Sequence, residues 1–149
     1  MKRSWHQNVK KSPAADRTLD GEVFDSKAEL KRWGELRVLE LAGEISDLKR
    51  QVKFPLIING RPVKIRSEGF PNGRACSYTI DFQYRDSAGR QIYEEHKGHW
   101  TPDAKLRIAV VESIYEIEIT VTGAAARDMP AIRPASASAQ KTRRGRLGC

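Results

Sequence analysis

Tyr78-Thr79-Ile80-Asp81-Phe82-Gln83-Tyr84, then Arg85-Asp86-Ser87-Ala88-Gly89-Arg90, then Gln91-Ile92-Tyr93-Glu94-Glu95-His96-Lys97-Gly98, is the stretch that decides how the chain folds. Tyr78, Ile80, Phe82 and Tyr84 alternate with Thr79, Asp81, Gln83 and Arg85, the period of two expected of a strand with one apolar and one polar face. Asp81 is therefore expected to point away from the apolar face. Ser87-Ala88-Gly89 suits a three-residue hairpin loop built from a type I turn and a left-handed glycine. With Asp86 facing Arg90, that loop sets Tyr84 opposite Ile92 and Asp81 opposite Glu95. Opposed residues on one face have Cβ atoms roughly 5 Å apart, and Lys97, two residues beyond Glu95, projects from the same face. An aspartate, a glutamate and a lysine are thus expected on one polar patch.

Two carboxylates at that separation repel unless a cation lies between them or one is protonated. One or two carboxylates completed by water are what Mg²⁺ prefers, leaving room for a phosphate oxygen and an attacking water. Lys97 supplies a point charge able to orient that water or to stabilise charge developing on phosphorus. A plain surface hairpin with a Lys97–Asp81 ion pair would use the same residue types, and so short a pattern is cheap by itself.

The chain has 149 residues, enough for one domain with a moderate core and two tails. No apolar run approaches a membrane span, and the basic N-terminus lacks the apolar segment of a secretory signal, so a soluble, cytoplasmic protein is expected. Cys76 and Cys149 show no metal-ligand spacing and are expected to be reduced thiols. The net charge of +8 is unevenly spread: residues 1–20 contribute +3, residues 124–149 contribute +5, and the segment between is neutral. Basic arms around a balanced domain suit a polyanion, because phosphate neutralisation with counterion release gives affinity without sequence preference. Arg143, Arg144 and Arg146 in the last arm are candidates for contacting nucleic acid. Solubility alone is the competing explanation of such arms.

Along the chain, residues 1–21 read as a flexible basic arm, 22–123 as the domain and 124–149 as a flexible basic tail. Phe24 to Ala42 predicts a helix, with Ser26 and Glu29 as a capping box, Leu30, Trp33, Val38 and Leu41 as its apolar stripe, broadened by Leu36 and Leu39, and Gly43 as its stop. Two roles compete for Glu29: capping the Ser26 amide, or reaching the carboxylate cluster from the helix. Ile45 to Arg66 predicts a hairpin turning at Asn59-Gly60, and Ser67 to Gly73 a loop. Thr101-Pro102-Asp103 predicts the start of a second helix reaching about Ser113, with Leu106, Ala109, Val110 and Ser113 buried. Lys105 in its first turn is a candidate phosphate contact. Ile117, Ile119 and Val121 predict a last strand. His96 is expected on the face opposite Glu95, which disfavours a zinc site.

The resulting order is helix, strands with a central hairpin, helix, strand: a mixed α/β fold around a mixed sheet. With Asp81 followed by Glu95-His96-Lys97 on adjoining strands, the chain resembles the PD-(D/E)XK nuclease superfamily. Within it, Phe24-Asp25-Ser26-Lys27-Ala28-Glu29, the segment Leu39 to Ile45, Tyr78 to Phe82 and Lys97-Gly98 are similar to small phage and prophage proteins of that kind. Two departures are Ile80, where proline commonly precedes the first acid, and Glu95, where relatives can carry aspartate. The resemblance implies a restriction-endonuclease-like core and a metal-dependent DNA endonuclease using Mg²⁺, with Mn²⁺ as substitute. Asp81 and Glu95 would then be metal ligands, Lys97 and Glu29 further members of the catalytic set, and a homodimer acting on branched or structured phage DNA is the expected form. The alternatives are a catalytically silent DNA-binding or packaging module on the same fold, and a structural or ribonucleoprotein-associated basic protein.

Overall fold

The computed structural model describes residues 11–128. After a 3₁₀ turn at Ala14–Arg17, strands β1 (Thr18–Leu19) and β2 (Glu22–Val23) form a small hairpin ahead of helix α1 (Lys27–Leu41). Strand β3 (Ser46–Pro55) follows, then the short strands β4 (Ile57–Ile58), β5 (Arg61–Pro62), β6 (Lys64–Ser67) and β7 (Phe70–Ala75). Strands β8 (Ser77–Arg85) and β9 (Gln91–His96), helix α2 (Pro102–Tyr115) and strand β10 (Ile119–Thr122) complete the order, with a closing 3₁₀ turn at Ala124–Asp128. The central sheet runs β10-β9-β8-β3, parallel only between β10 and β9. The expected mixed α/β class, with a central mixed sheet carrying a hairpin, is the observed one.

The β8–β9 hairpin has the register its turn chemistry predicts, with Tyr84 opposite Ile92 and Phe82 opposite Glu94. Asp86 organises the turn: its Oδ1 accepts from the Ala88 and Arg90 amides, while Gly89 adopts φ 77°. Helix α1 starts where Ser26 Oγ accepts from the Glu29 amide. It stops in a Schellman motif, the Gly43 amide donating to the Glu40 carbonyl and the Glu44 amide to the Leu39 carbonyl.

Four expectations need correction. The segment from Ile45 to Arg66 is not one hairpin: β3 pairs with β8, and only β4 and β5 close around Asn59-Gly60. A strand of ten residues finds a longer partner in β8 than the two-residue β5 can offer. Ser67 to Gly73 is not a plain loop, since β6 and β7 pair across a turn at Glu68-Gly69. The helix faces are rotated. Val38 and Leu41 of α1 and Leu106 of α2 are exposed, whereas Leu36, Ile108 and Val111 are buried. Both helices carry apolar residues on more than one side, so sequence periodicity alone does not select the face that meets the sheet. Finally, the folded unit is wider than residues 22–123. Ala125 is buried and its carbonyl accepts from Trp100 Nε1 at 2.7 Å, and Arg17 Nη1 donates to the Phe24 carbonyl upstream.

The core has two parts. Phe54, Tyr78, Ile80, Trp100, Ile108, Val111 and Ile119 form one cluster, which includes α2. Leu36, Ile45 and Phe82 form the other, joined by Trp33 and Tyr84 on the α1 side. The even-numbered side chains of β8 therefore change clusters between Ile80 and Phe82. Asp81 is the residue at the change.

Candidate active site

At that point in β8 the sheet is irregular. The β3–β8 register passes through Arg50–Phe82 and Val52–Ile80 and omits Gln51 and Asp81 between them. Gln51 adopts φ 52°, a left-handed conformation that costs a non-glycine residue energy and persists only where its surroundings hold it. Its Nε2 donates to Glu29 Oε1 at 3.1 Å. On the other side, β8 and β9 pair as far as Phe82–Glu94. Beyond that pair the Asp81 carboxylate itself takes the ladder's place, Oδ2 accepting from the His96 amide at 2.8 Å.

Glu95 follows on β9 and is buried, only 2 % exposed. Its Oε1 accepts from Tyr78 Oη at 2.9 Å and meets Lys97 Nζ at 2.7 Å. Its Oε2 is buried with no hydrogen-bond partner. The lysine thus pairs with Glu95 rather than with Asp81. Burial first, then the Glu95 and Glu29 charges, push the Asp81 carboxyl up to about 7, against the His96 amide and Lys97, which lower it. Burial, with the Glu95 charge next, also raises the Tyr78 hydroxyl. Asp81, Glu95, Lys97 and Glu29 therefore share one electrostatic neighbourhood.

Neither Glu29 oxygen accepts from the Ser26 amide, as the expected capping box requires, and neither bonds to the Asp81, Glu95 and Lys97 group. Oε2 accepts from the Asp25 amide at 3.0 Å, one residue before the helix cap, while Oε1 accepts from Gln51 and lies 3.8 Å from Arg50 Nη2. It is 3 % exposed. Lys105 stands apart, exposed on the first turn of α2 with its Nζ 5.8 Å from the centre of the Trp100 ring. His96 Nδ1 lies 3.0 Å from Thr122 Oγ1. Arg143, Arg144 and Arg146 lie outside the described residues.

Sequence reasoning missed Glu94. This residue is 1 % exposed, and its carboxylate is gripped by Arg32 through Nε at 2.7 Å and Nη2 at 3.0 Å, by Tyr84 Oη at 2.9 Å and by Thr122 Oγ1 at 2.9 Å. Burial opposes its ionisation, yet Arg32 and the two hydroxyls hold its carboxyl below the usual range. The Tyr84 hydroxyl is pushed up to about 12 by burial and then by the Glu94 charge. A signal was present: the predicted register sets Glu94 beside Phe82 and Tyr84, an apolar setting where a carboxylate needs a cation, and Arg32 lies one turn after Glu29.

Among the described residues, no three His, Cys, Asp or Glu side chains gather as a ready-made metal cage. The donor set nonetheless fits Mg²⁺. That ion takes few protein ligands, all oxygen, and keeps several waters, and the unpartnered Glu95 Oε2 beside a carboxyl held up near neutrality is what a divalent cation would relieve.

Residues 9–125 match the family model described as Protein of unknown function (DUF1064), and the chain belongs to that family. Comparison with curated proteins and with solved structures gave no match.

Proposed function

We propose that this protein is a metal-dependent endonuclease that hydrolyses phosphodiester bonds in DNA, in keeping with its resemblance to the PD-(D/E)XK superfamily. The observation that carries the reading is the pair Asp81 and Glu95: a half-buried carboxyl raised to about 7 and a buried carboxylate with an unpartnered oxygen, beside Lys97. Such a pair is costly for a protein to keep without a cation to share.

Asp81 and Glu95 would hold Mg²⁺. When bound, the ion supplies charge neutralisation and a water of lowered pKa. Glu95 keeps Lys97 at hand: the 2.7 Å ion pair sets Nζ beside the carboxylates, where it can hold the attacking water or face negative charge building on the phosphoryl oxygens. Hydrolysis forms a bond from water oxygen to phosphorus and breaks the bond to the leaving sugar oxygen, which takes up a proton. Glu29 and Gln51 act by position, bracing the irregular segment of β3 next to Asp81.

Incubation with supercoiled and linear DNA in Mg²⁺, Mn²⁺ or EDTA tests this. Wild type is expected to cut with either metal and not in EDTA, and Asp81→Asn to lose about 10³-fold in rate while still binding DNA. Equal cutting by the two proteins would mark a contaminant. No cutting by wild type on any DNA would leave the silent binding module as the better reading.

A further inference from the structure

The β6–β7 hairpin stands beside helix α2, and a groove of about 490 Å³ runs between them. Its walls include Ile65, Phe70, Leu106 and Val110, with Arg74, Arg107 and the carboxylate of Asp103 also lining it. Ile65 is 58 % exposed, Phe70 48 % and Leu106 65 %. Large apolar side chains left open together mark a docking surface. Phe70 follows directly on the Glu68-Gly69 turn, so its ring is presented near the hairpin tip.

Charge narrows what could occupy the groove. From Arg61 to Ala75 the chain carries Arg61, Lys64, Arg66 and Arg74 against Glu68 alone. On α2, Arg107 pairs with Asp103 at 3.2 Å, and Lys105 adds a further cation. The occupant must offer flat apolar faces and negative charge together. A second copy of this chain would bring the same basic hairpin against itself. A DNA duplex keeps its base faces stacked inside. An unpaired strand exposes both bases and phosphates, the combination that aromatic platforms in basic grooves accept. The route to the carboxylates is short: Ser77 lines the groove, and Asp81 lies four residues further along β8, roughly 13 Å at the rise of a strand.

We propose that this groove binds single-stranded DNA, bases stacking on Phe70 and phosphates meeting Arg74 and Arg107. The inference rests on the DNA reading above and names the form of DNA: a substrate with an unpaired segment.

The test uses the full chain in EDTA and fluorescence anisotropy with a labelled oligothymidylate and a duplex of equal length. Phe70→Ala alters no charge, so the basic arms contribute equally before and after. It is expected to weaken oligothymidylate binding about tenfold with duplex binding unchanged, and Phe70→Trp to restore it. Arg74→Gln should lower affinity for the single strand and reduce its salt slope by about one. Circular dichroism checks that the exposed substitutions leave the fold intact. Wild-type affinity of Phe70→Ala for oligothymidylate overturns the proposal. So does a wild-type dimer in sedimentation that Phe70→Ala dissociates while single-strand affinity stays the same, since the occupant is then a second copy. Nothing is cleaved in EDTA, so a failure of the hydrolase reading appears in the cleavage assay and a failure of the groove appears here.

Discussion

Glu94 and Glu95 are consecutive, both buried, and differently provided for. Glu94 faces the α1 side, where Arg32, Tyr84 and Thr122 satisfy both of its oxygens. Glu95 joins Tyr78 and Lys97 through one oxygen and leaves the other without a partner, close to a second carboxylate at Asp81. The first arrangement is closed: its charges cancel and its hydrogen bonds are complete, so it has nothing to offer a ligand. The second is open. A buried glutamate alone does not mark a functional site; an incomplete coordination of its charge does.

The contrast predicts unequal costs for the same substitution. Glu94→Gln strips the buried carboxylate from a half-buried guanidinium and should destabilise by about 3 kcal/mol. Glu95→Gln relieves repulsion with Asp81, keeps an oxygen for Tyr78 and releases a lysine that already reaches water, so its cost should stay within about 1 kcal/mol. Urea unfolding in EDTA compares them. Equal losses would mean that Glu95 is as structural as Glu94 and would remove the distinction.

The second comparison is with pH. Asp81 titrates near 7 in the folded protein because of burial and the neighbouring acids, against about 3.9 in an unfolded chain. Between those values the native state holds a proton that the unfolded state has released, so stability falls as pH rises from about 4 through 7. Asp81→Asn removes this dependence. The variant should match wild type near pH 4 and exceed it by roughly 1–3 kcal/mol at pH 8 in EDTA. Mg²⁺ at pH 8 should raise the Tm of wild type but not of Asp81→Asn. Calorimetry at the two pH values decides it: a Tm difference that ignores pH would mean that Asp81 is not the strained group.

How much of this was legible in the sequence follows from the range of each interaction. The β8–β9 register was readable because Asp86 and Gly89 set it within five residues, and with it came the nearness of Asp81, Glu95 and Lys97. Both helix starts were readable for the same reason, through Ser26 and Thr101. The partnership of β3 with β8 was not, since the chain between them folds into two small hairpins and nothing local tells β3 to skip them. The irregularity at Gln51 was invisible as well. Its left-handed backbone depends on Glu29, which is distant in sequence and arrives only when α1 packs on the sheet.

Glu29 gives the smallest effect and the finest test of where the closed side ends and the open side begins. One oxygen serves the helix start and the other holds Gln51 next to Asp81. In Glu29→Gln, one end of the side chain becomes an NH₂ group: turned toward Asp25 it cannot accept and that bond is lost, whereas turned toward Gln51 it keeps a hydrogen bond only by flipping the Gln51 amide so that its oxygen accepts. The charge that holds Gln51 is lost in both cases. The cost should be about 1 kcal/mol or less. Activity separates the cases that stability cannot. A purely capping Glu29 predicts an unchanged rate per folded molecule, with Ser26→Ala giving the same modest destabilisation. A Glu29 that positions the Asp81 segment through Gln51 predicts a fall in kcat at unchanged fold, reproduced by Gln51→Ala and not by Ser26→Ala. The expected result is the second, because Gln51 is held in a strained conformation at the level of Asp81 and the Glu29 carboxylate is the group that holds it there.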